Sequence, residues 1–138
     1  MGINYGTVTN CTVSGSIVTN PEYGYYMYVG GVIGDNRGTA SGCTFSGDII
    51  AAIVGGIVGA NSGVVSDCHK LSGSVNTVSD WPEEMYSGGI IGYLFSSSNY
   101  NITGNTFSRA DTGQEWGIGY DPRLSPAAPS NNGATPID

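Results

Sequence analysis

The sequence predicts an all-β chain, a right-handed parallel β-solenoid of about four coils with three short strands per coil. Two observations carry that prediction. One phrase, Asn-x-Gly-x-[Val/Ala]-[Thr/Ser]-x-Cys-Thr-[Val/Phe]-Ser-Gly followed by an apolar pair and a Gly-Gly-[Val/Ile]-[Val/Ile]-Gly closure, recurs along the chain. A unit this short cannot bury its own apolar face, whereas a row of stacked units can. Composition agrees: of 138 residues 23 are Gly, only 11% are charged, and no stretch spaces its apolar positions as a helix does.

Taken in order, the first copy carries Asn4, Gly6, Val8, Thr9, Cys11, Thr12, Val13, Ser14 and Gly15 and closes on Gly30-Gly31-Val32-Ile33-Gly34. The second reads Asn36, Gly38, Ala40, Ser41, Cys43, Thr44, Phe45, Ser46 and Gly47, then Gly55-Gly56-Ile57-Val58-Gly59. The third has Asn61, Gly63, Val65, Ser66 and Cys68, one extra residue within His69-Lys70-Leu71, then Ser72 and Gly73, and closes on Gly88-Gly89-Ile90-Ile91-Gly92. A degraded fourth copy keeps Ile102, Thr103, Thr106, Phe107 and Ser108, has Asn105 in place of Cys, and closes on Trp116-Gly117-Ile118-Gly119. Gly31 to Gly56 and Cys43 to Cys68 are both 25 residues, the bare unit. Residues 4–120 thus divide into coils at about 4–34, 35–59, 60–92 and 93–120.

Within a unit, Val8, Cys11 and Val13 alternate with Thr7, Thr9, Thr12 and Ser14, which reads as short strands with a bend near Asn10. Stacked at about 4.8 Å, equivalent strands place equivalent residues above one another, and four coils rise about 20 Å. The expected inward columns are Val8, Ala40, Val65, Ile102; Cys11, Cys43, Cys68, Asn105; Val13, Phe45, Leu71, Phe107; and Val32, Ile57, Ile90, Ile118. Outward columns are Thr9, Ser41, Ser66, Thr103 and Thr12, Thr44, His69, Thr106. Asn4, Asn36 and Asn61 fall at the corner before each Gly, where an Asn amide bonds neighbouring backbone.

The Gly-Val-Ile-Gly and Gly-Ile-Val-Gly closures, each nine residues before a Cys, together with the Gly-Ile-Ile-Gly closure, resemble the Glug-motif repeats of bacterial surface proteins. The resemblance covers residues 4 to about 120, with Ile or Val where the name motif has Leu. It implies an extracellular, adhesin-like β-solenoid, as in non-catalytic regions of immunoglobulin A proteases, and no catalytic residues to carry over.

Three cysteines in one column allow two readings. One is a buried row of small, soft hydrophobes. The other is a disulfide between neighbouring coils, whose stacked Cα atoms lie within disulfide range although in-register side chains point the same way. A metal site has no second type of ligand on this column.

Coils one and three are longer than coil two at the same corner: Ser14 to Gly31 and Ser72 to Gly89 span 17 residues, against 10 from Ser46 to Gly56. The insertions, 19–28 and 78–86, are aromatic and acidic, with Tyr23, Tyr25, Tyr26 and Tyr28 in the first and Trp81, Glu83, Glu84 and Tyr86 in the second. These eight residues are the candidate ligand-binding set, because rings stack on apolar faces while polar groups fix orientation. The alternative is that the rings fold back and cap the open corner.

One His, four Lys and Arg and scattered carboxylates form no nucleophile–base pair, phosphate loop or metal-ligand spacing, so a non-enzymatic chain without a cofactor is expected. A net charge of −7 disfavours nucleic acid, and no segment has the length and apolarity of a membrane span. The expected setting is extracellular or at a cell surface; no secretory signal precedes the first repeat, which suggests an excised piece or mature form of a secreted protein. Two functions fit: an adhesin-like module binding a glycan or host protein through the aromatic loops, or a structural spacer or subunit that self-associates through its coil ends. Residues 121–138 are a non-repetitive tail rich in Pro, Asn and Gly, either a linker or a strap along the last coil.

Overall fold

The computed structural model describes residues 1–19, 27–78, 85–96 and 101–138. Strands follow one another in repeating order. Coil one holds β1 (Ile3–Asn4), β2 (Thr7–Thr9), β3 (Thr12–Ser14), β4 (Ile17–Val18) and β5 (Tyr28–Gly30). Coil two holds β6 (Ile33–Asn36), β7 (Thr39–Ser41), β8 (Thr44–Ser46), β9 (Ile49–Ala51) and β10 (Ile53–Gly55). Coil three holds β11 (Val58–Asn61), β12 (Val64–Ser66), β13 (His69–Ser72), β14 (Val75–Thr77) and β15 (Tyr86–Gly88). Coil four has β16 (Ile91–Leu94), β17 (Asn101–Thr103), β18 (Asn105–Phe107), the short helix α1 (Arg109–Thr112) and β19 (Ile118–Asp121); β20 (Ala128–Ser130) and β21 (Ala134–Pro136) follow.

Equivalent strands of successive coils pair in parallel, and the chain is a β-solenoid. Each full coil contributes five strand segments, to the stacks β1-β6-β11-β16-β19, β2-β7-β12-β17, β3-β8-β13-β18, β4-β9-β14 and β5-β10-β15. The expectation of three is corrected by the corners. Asn10, Gly42, Asp67 and Gly104 form a column with φ of 53°, 64°, 51° and 68°, a left-handed bend that separates the β2-β7-β12-β17 stack from the β3-β8-β13-β18 stack. Gly, Asn and Asp are the residues that tolerate it.

The column Val8, Ala40, Val65, Ile102 is in register as expected and buried throughout. The outward columns are in register too and stay at the surface, where Ser66 donates to Ser41 at 3.2 Å and His69 Nδ1 meets Thr106 Oγ1 at 2.7 Å. The Asn column does more than bond its own corner. Asn4 Nδ2 donates to Asn36 Oδ1 and Asn36 Nδ2 to Asn61 Oδ1, both at 2.8 Å, so a side-chain ladder ties coils one to three. Leu94 takes the next rung and ends it.

Two inward columns differ from expectation. Lys70, not Leu71, stands between Phe45 and Phe107, and Leu71 is 53% exposed. A register shift between Lys70 and Ser72 places the extra residue after the core position instead of before it. The lysine is tolerated because its two ends meet different surroundings. Its stem packs on Gly56, and its ammonium, 5.1 Å from the Phe45 ring centroid, donates to the carbonyls of Gly47 at 2.8 Å, Gly73 at 2.7 Å and Ser72. Ile118 pairs with Ile91 rather than extending the Val32, Ile57, Ile90 column, whose fourth place falls to Gly117. The fourth closure lacks one apolar residue, and the shared glycine, Gly92 against Gly119, decides the alignment.

Of the two readings of the tail, the strap along the last coil is the one seen. β20 runs antiparallel to β19, and β21 runs parallel to β18 with Asn105, Thr106 and Phe107 opposite Ala134, Thr135 and Pro136. Asp121 holds β20 in place: it accepts from Ser130 Oγ at 2.5 Å and from Arg123 Nε and Nη2 at 2.8 and 2.7 Å. Among the described residues no helix is long and apolar enough to cross a membrane.

Candidate binding surface

The Gly-Gly closure folds each of β5, β10 and β15 back against the β6–β11–β16–β19 wall. Backbone meets backbone there. A β-carbon on Gly59 would lie 2.5 Å from Val29 N, one on Gly92 2.8 Å from Val54 C, and one on Gly119 2.4 Å from Ser87 O. Nothing larger than a hydrogen fits, so neighbouring side chains collect beside the contact.

Five rings do so in one unbroken chain. Tyr93 and Tyr120 are opposite each other on paired strands, and their rings stack at 4.5 Å with only 3° between planes. Tyr86 meets both edge-on at 5.2 Å. Phe95 meets Tyr93 at 5.3 Å, and Tyr28 meets Phe95 at 5.5 Å. Edge-to-face and offset contacts of this kind add about 0.5–1.5 kcal/mol per pair beyond area burial. Burial, together with the neighbouring Tyr120 and Tyr86, raises the Tyr93 phenol above its ordinary pKa. In coil two the same column carries Asp35, ion-paired with Arg37 at 2.9 Å, while its Oδ1 has no hydrogen-bond partner among the described residues.

Next to the ridge a cleft of about 500 Å³ opens between β15, the segment after α1 and β20. Met85, Tyr86, Trp116, Tyr120 and Pro129 form its apolar walls. Its polar end is Gln114, which accepts from Ser87 Oγ at 2.9 Å and donates to Val75 O at 2.6 Å. Helix α1 delivers Gln114: Ser108 caps its start, Gly113 at φ 70° ends it, and Asp138 braces Ser108 Oγ at 2.6 Å and Arg109 N at 2.5 Å.

Of the eight candidate residues, Tyr28 and Tyr86 belong to the ridge; Tyr23, Tyr25, Tyr26, Trp81, Glu83 and Glu84 lie outside the described residues. The strands flanking both insertions, β5 and β15, pair with β10, so the two loops leave one corner. Sequence reasoning missed Tyr93, Phe95, Trp116 and Tyr120. The available signal was that Tyr93 and Tyr120 each follow a closing glycine, which puts them in one column.

The cysteine column is a row of free thiols, Cys43 and Cys68 buried and Cys11 partly so. Burial pushes Cys68 up to about 12, which leaves it a protonated, inert packing group. Asn105 completes the column by accepting from Cys68 N and donating to Val65 O and Gly133 O, all at 2.9 Å, and so ties coil three to the tail. Among the described residues no group of three or more His, Cys, Asp or Glu could hold a metal ion. Comparison with known proteins finds no matching family model, curated protein or solved structure.

Proposed function

We propose that this chain is a non-enzymatic, adhesin-like module of a bacterial cell surface, related to the Glug-motif repeat proteins, which binds a glycan or host protein through its aromatic corner. The observation that carries this reading is the ridge Tyr28–Phe95–Tyr93–Tyr120–Tyr86, half-exposed at the corner from which both aromatic insertions leave. A preorganised row of rings contributes contact area with little ordering entropy left to lose, which suits recognition better than catalysis. The test is a glycan and host-surface-protein binding screen of the full chain beside two variants, Tyr25/Tyr26/Trp81→Ala and Tyr86/Tyr93→Ala. Capture that both variants lose is expected. Capture that neither variant weakens would remove the aromatic corner from the proposal.

A second reading, a structural element joined through its coil end, is favoured by the N-terminal coil. There, among the described residues, β1 to β4 each have a partner on one side only, and Met1, Ile3, Tyr5 and Val18 are exposed. On this reading sedimentation shows concentration-dependent association that Ile3→Lys with Val18→Lys abolishes; a monomer at every concentration sinks it.

A further inference from the structure

We propose that the cleft beside Trp116 is a subsite for one uncharged saccharide ring. This rests on the ligand-binding reading above and gives it a ligand class. The argument begins with Trp116, which presents 41% of its surface to solvent. Tyr28, Tyr86, Tyr93, Phe95 and Tyr120 are engaged with one another, whereas the indole lines the same cleft as Tyr86 and Tyr120. A flat exposed indole offers a stacking face for the C–H side of a pyranose, and the electron-rich ring attracts those weakly positive hydrogens.

The polar complement sits at one end of the same cleft. Gln114 is held by Ser87 and Val75, which consume one Oε1 lone pair and one Nε2 hydrogen. One acceptor site and one donor hydrogen remain on a carboxamide already fixed in orientation. That pair matches adjacent sugar hydroxyls, each of which both donates and accepts. The volume of about 500 Å³ admits one ring with its substituents, not an extended oligomer.

Charge narrows the class. Among the described residues no Lys, Arg, His, Asp or Glu lines the cleft, and the chain carries −7 overall. An anionic sugar would bury its carboxylate without a cation and against the net field. An apolar peptide side chain would fill the walls but leave the Gln114 amide unmatched, at the cost of an unsatisfied polar group.

The test is an NMR titration of the ¹⁵N-labelled full chain with methyl glycosides of glucose, galactose, mannose and N-acetylglucosamine. The Trp116 indole N–H is assigned with Trp116→Phe, and the Gln114 amide with Gln114→Glu. Saturable shifts of both resonances are expected with at least one glycoside, lost in Trp116→Ala, and methyl glucuronide should bind at least about tenfold more weakly than methyl glucoside. Shifts absent for all four sugars, shifts confined to other residues, equal binding of the glucuronide, or a response only to aromatic peptides would each overturn the assignment. Failure here with capture in the screen intact removes only the subsite. Saccharide shifts at Trp116 without capture in the screen leave the subsite standing and remove the adhesive reading.

Discussion

The column Val13–Phe45–Lys70–Phe107 and the column Asp35–Ala60–Tyr93–Tyr120 are built by the same parallel register, yet one ends in the core and the other at the surface. In the first, the neighbour across the interior is a glycine wall. A β-carbon on Gly31 would stand 2.3 Å from Phe45 Cγ, one on Gly89 2.3 Å from the Phe107 ring, and one on Gly56 2.9 Å from Lys70 Cγ. Only a flat ring or a thin methylene stem fits that slot, which is why lysine substitutes for phenylalanine there. In the second column no such wall constrains the last two members, and the tyrosines stack on each other with one side left to solvent. Stacking geometry that is structural inside the coil becomes a display of rings outside it.

The inner column breaks most readily at its glycines. Gly89→Ala forces a methyl into the fully buried Phe107 ring and is expected to cost about 3 kcal/mol, at the upper end of overpacking, while Gly2→Ala, with nothing within 4 Å, stays neutral. Chemical denaturation of the two variants checks this pair.

Lys70→Met is next. It keeps a stem on Gly56 and removes the ammonium from three carbonyls, with an expected loss of about 2 kcal/mol at pH 7. Its pH dependence is more telling. Burial lowers Lys70 from 10.5 to about 8, so between those values the unfolded chain binds more protons than the folded one, and stability rises with pH. Below pH 8 both states hold the proton and the penalty is complete; above 10.5 both have lost it. Denaturation midpoints across pH 7–10.5 should therefore climb in the parent chain and lack that increment in Lys70→Met.

The smallest effect belongs to the surface column. Tyr93→Ala removes the stack with Tyr120 and two edge contacts but opens no closed cavity, so about 1 kcal/mol or less is expected. A loss in thermal unfolding as large as that of Gly89→Ala would make the ridge part of the core and end the contrast between the columns.

Most of the coil was legible in the sequence, because register in a stacked repeat follows directly from spacing. The Val8 column, the hydroxyl columns and the cysteine row fall where the 25-residue period puts them. Legibility failed where a residue was gained or lost. Hydrophobicity favoured Leu71 for the core, but a bulge after Lys70 and the carbonyls of Gly47, Ser72 and Gly73 within reach of the ammonium decided for the lysine. The candidate surface was half legible: loop composition pointed to Tyr28 and Tyr86, whereas Trp116 belongs to the eroded copy, where the repeat no longer predicts position.

By itself the sequence determined the solenoid, its period and most of its ladders, since a recurring pattern leaves stacking as the one way to bury every copy. Only the tertiary structure decided how Tyr28, Tyr86 and Phe95 join the Tyr93–Tyr120 stack and what closes the last coil. Glycine columns bring two backbone layers into contact and push the tyrosines together, and β20 and β21 fold back to complete the coil, with β20 walling the cleft. Contacts between unlike segments carry no period, and no spacing in the chain could have announced them.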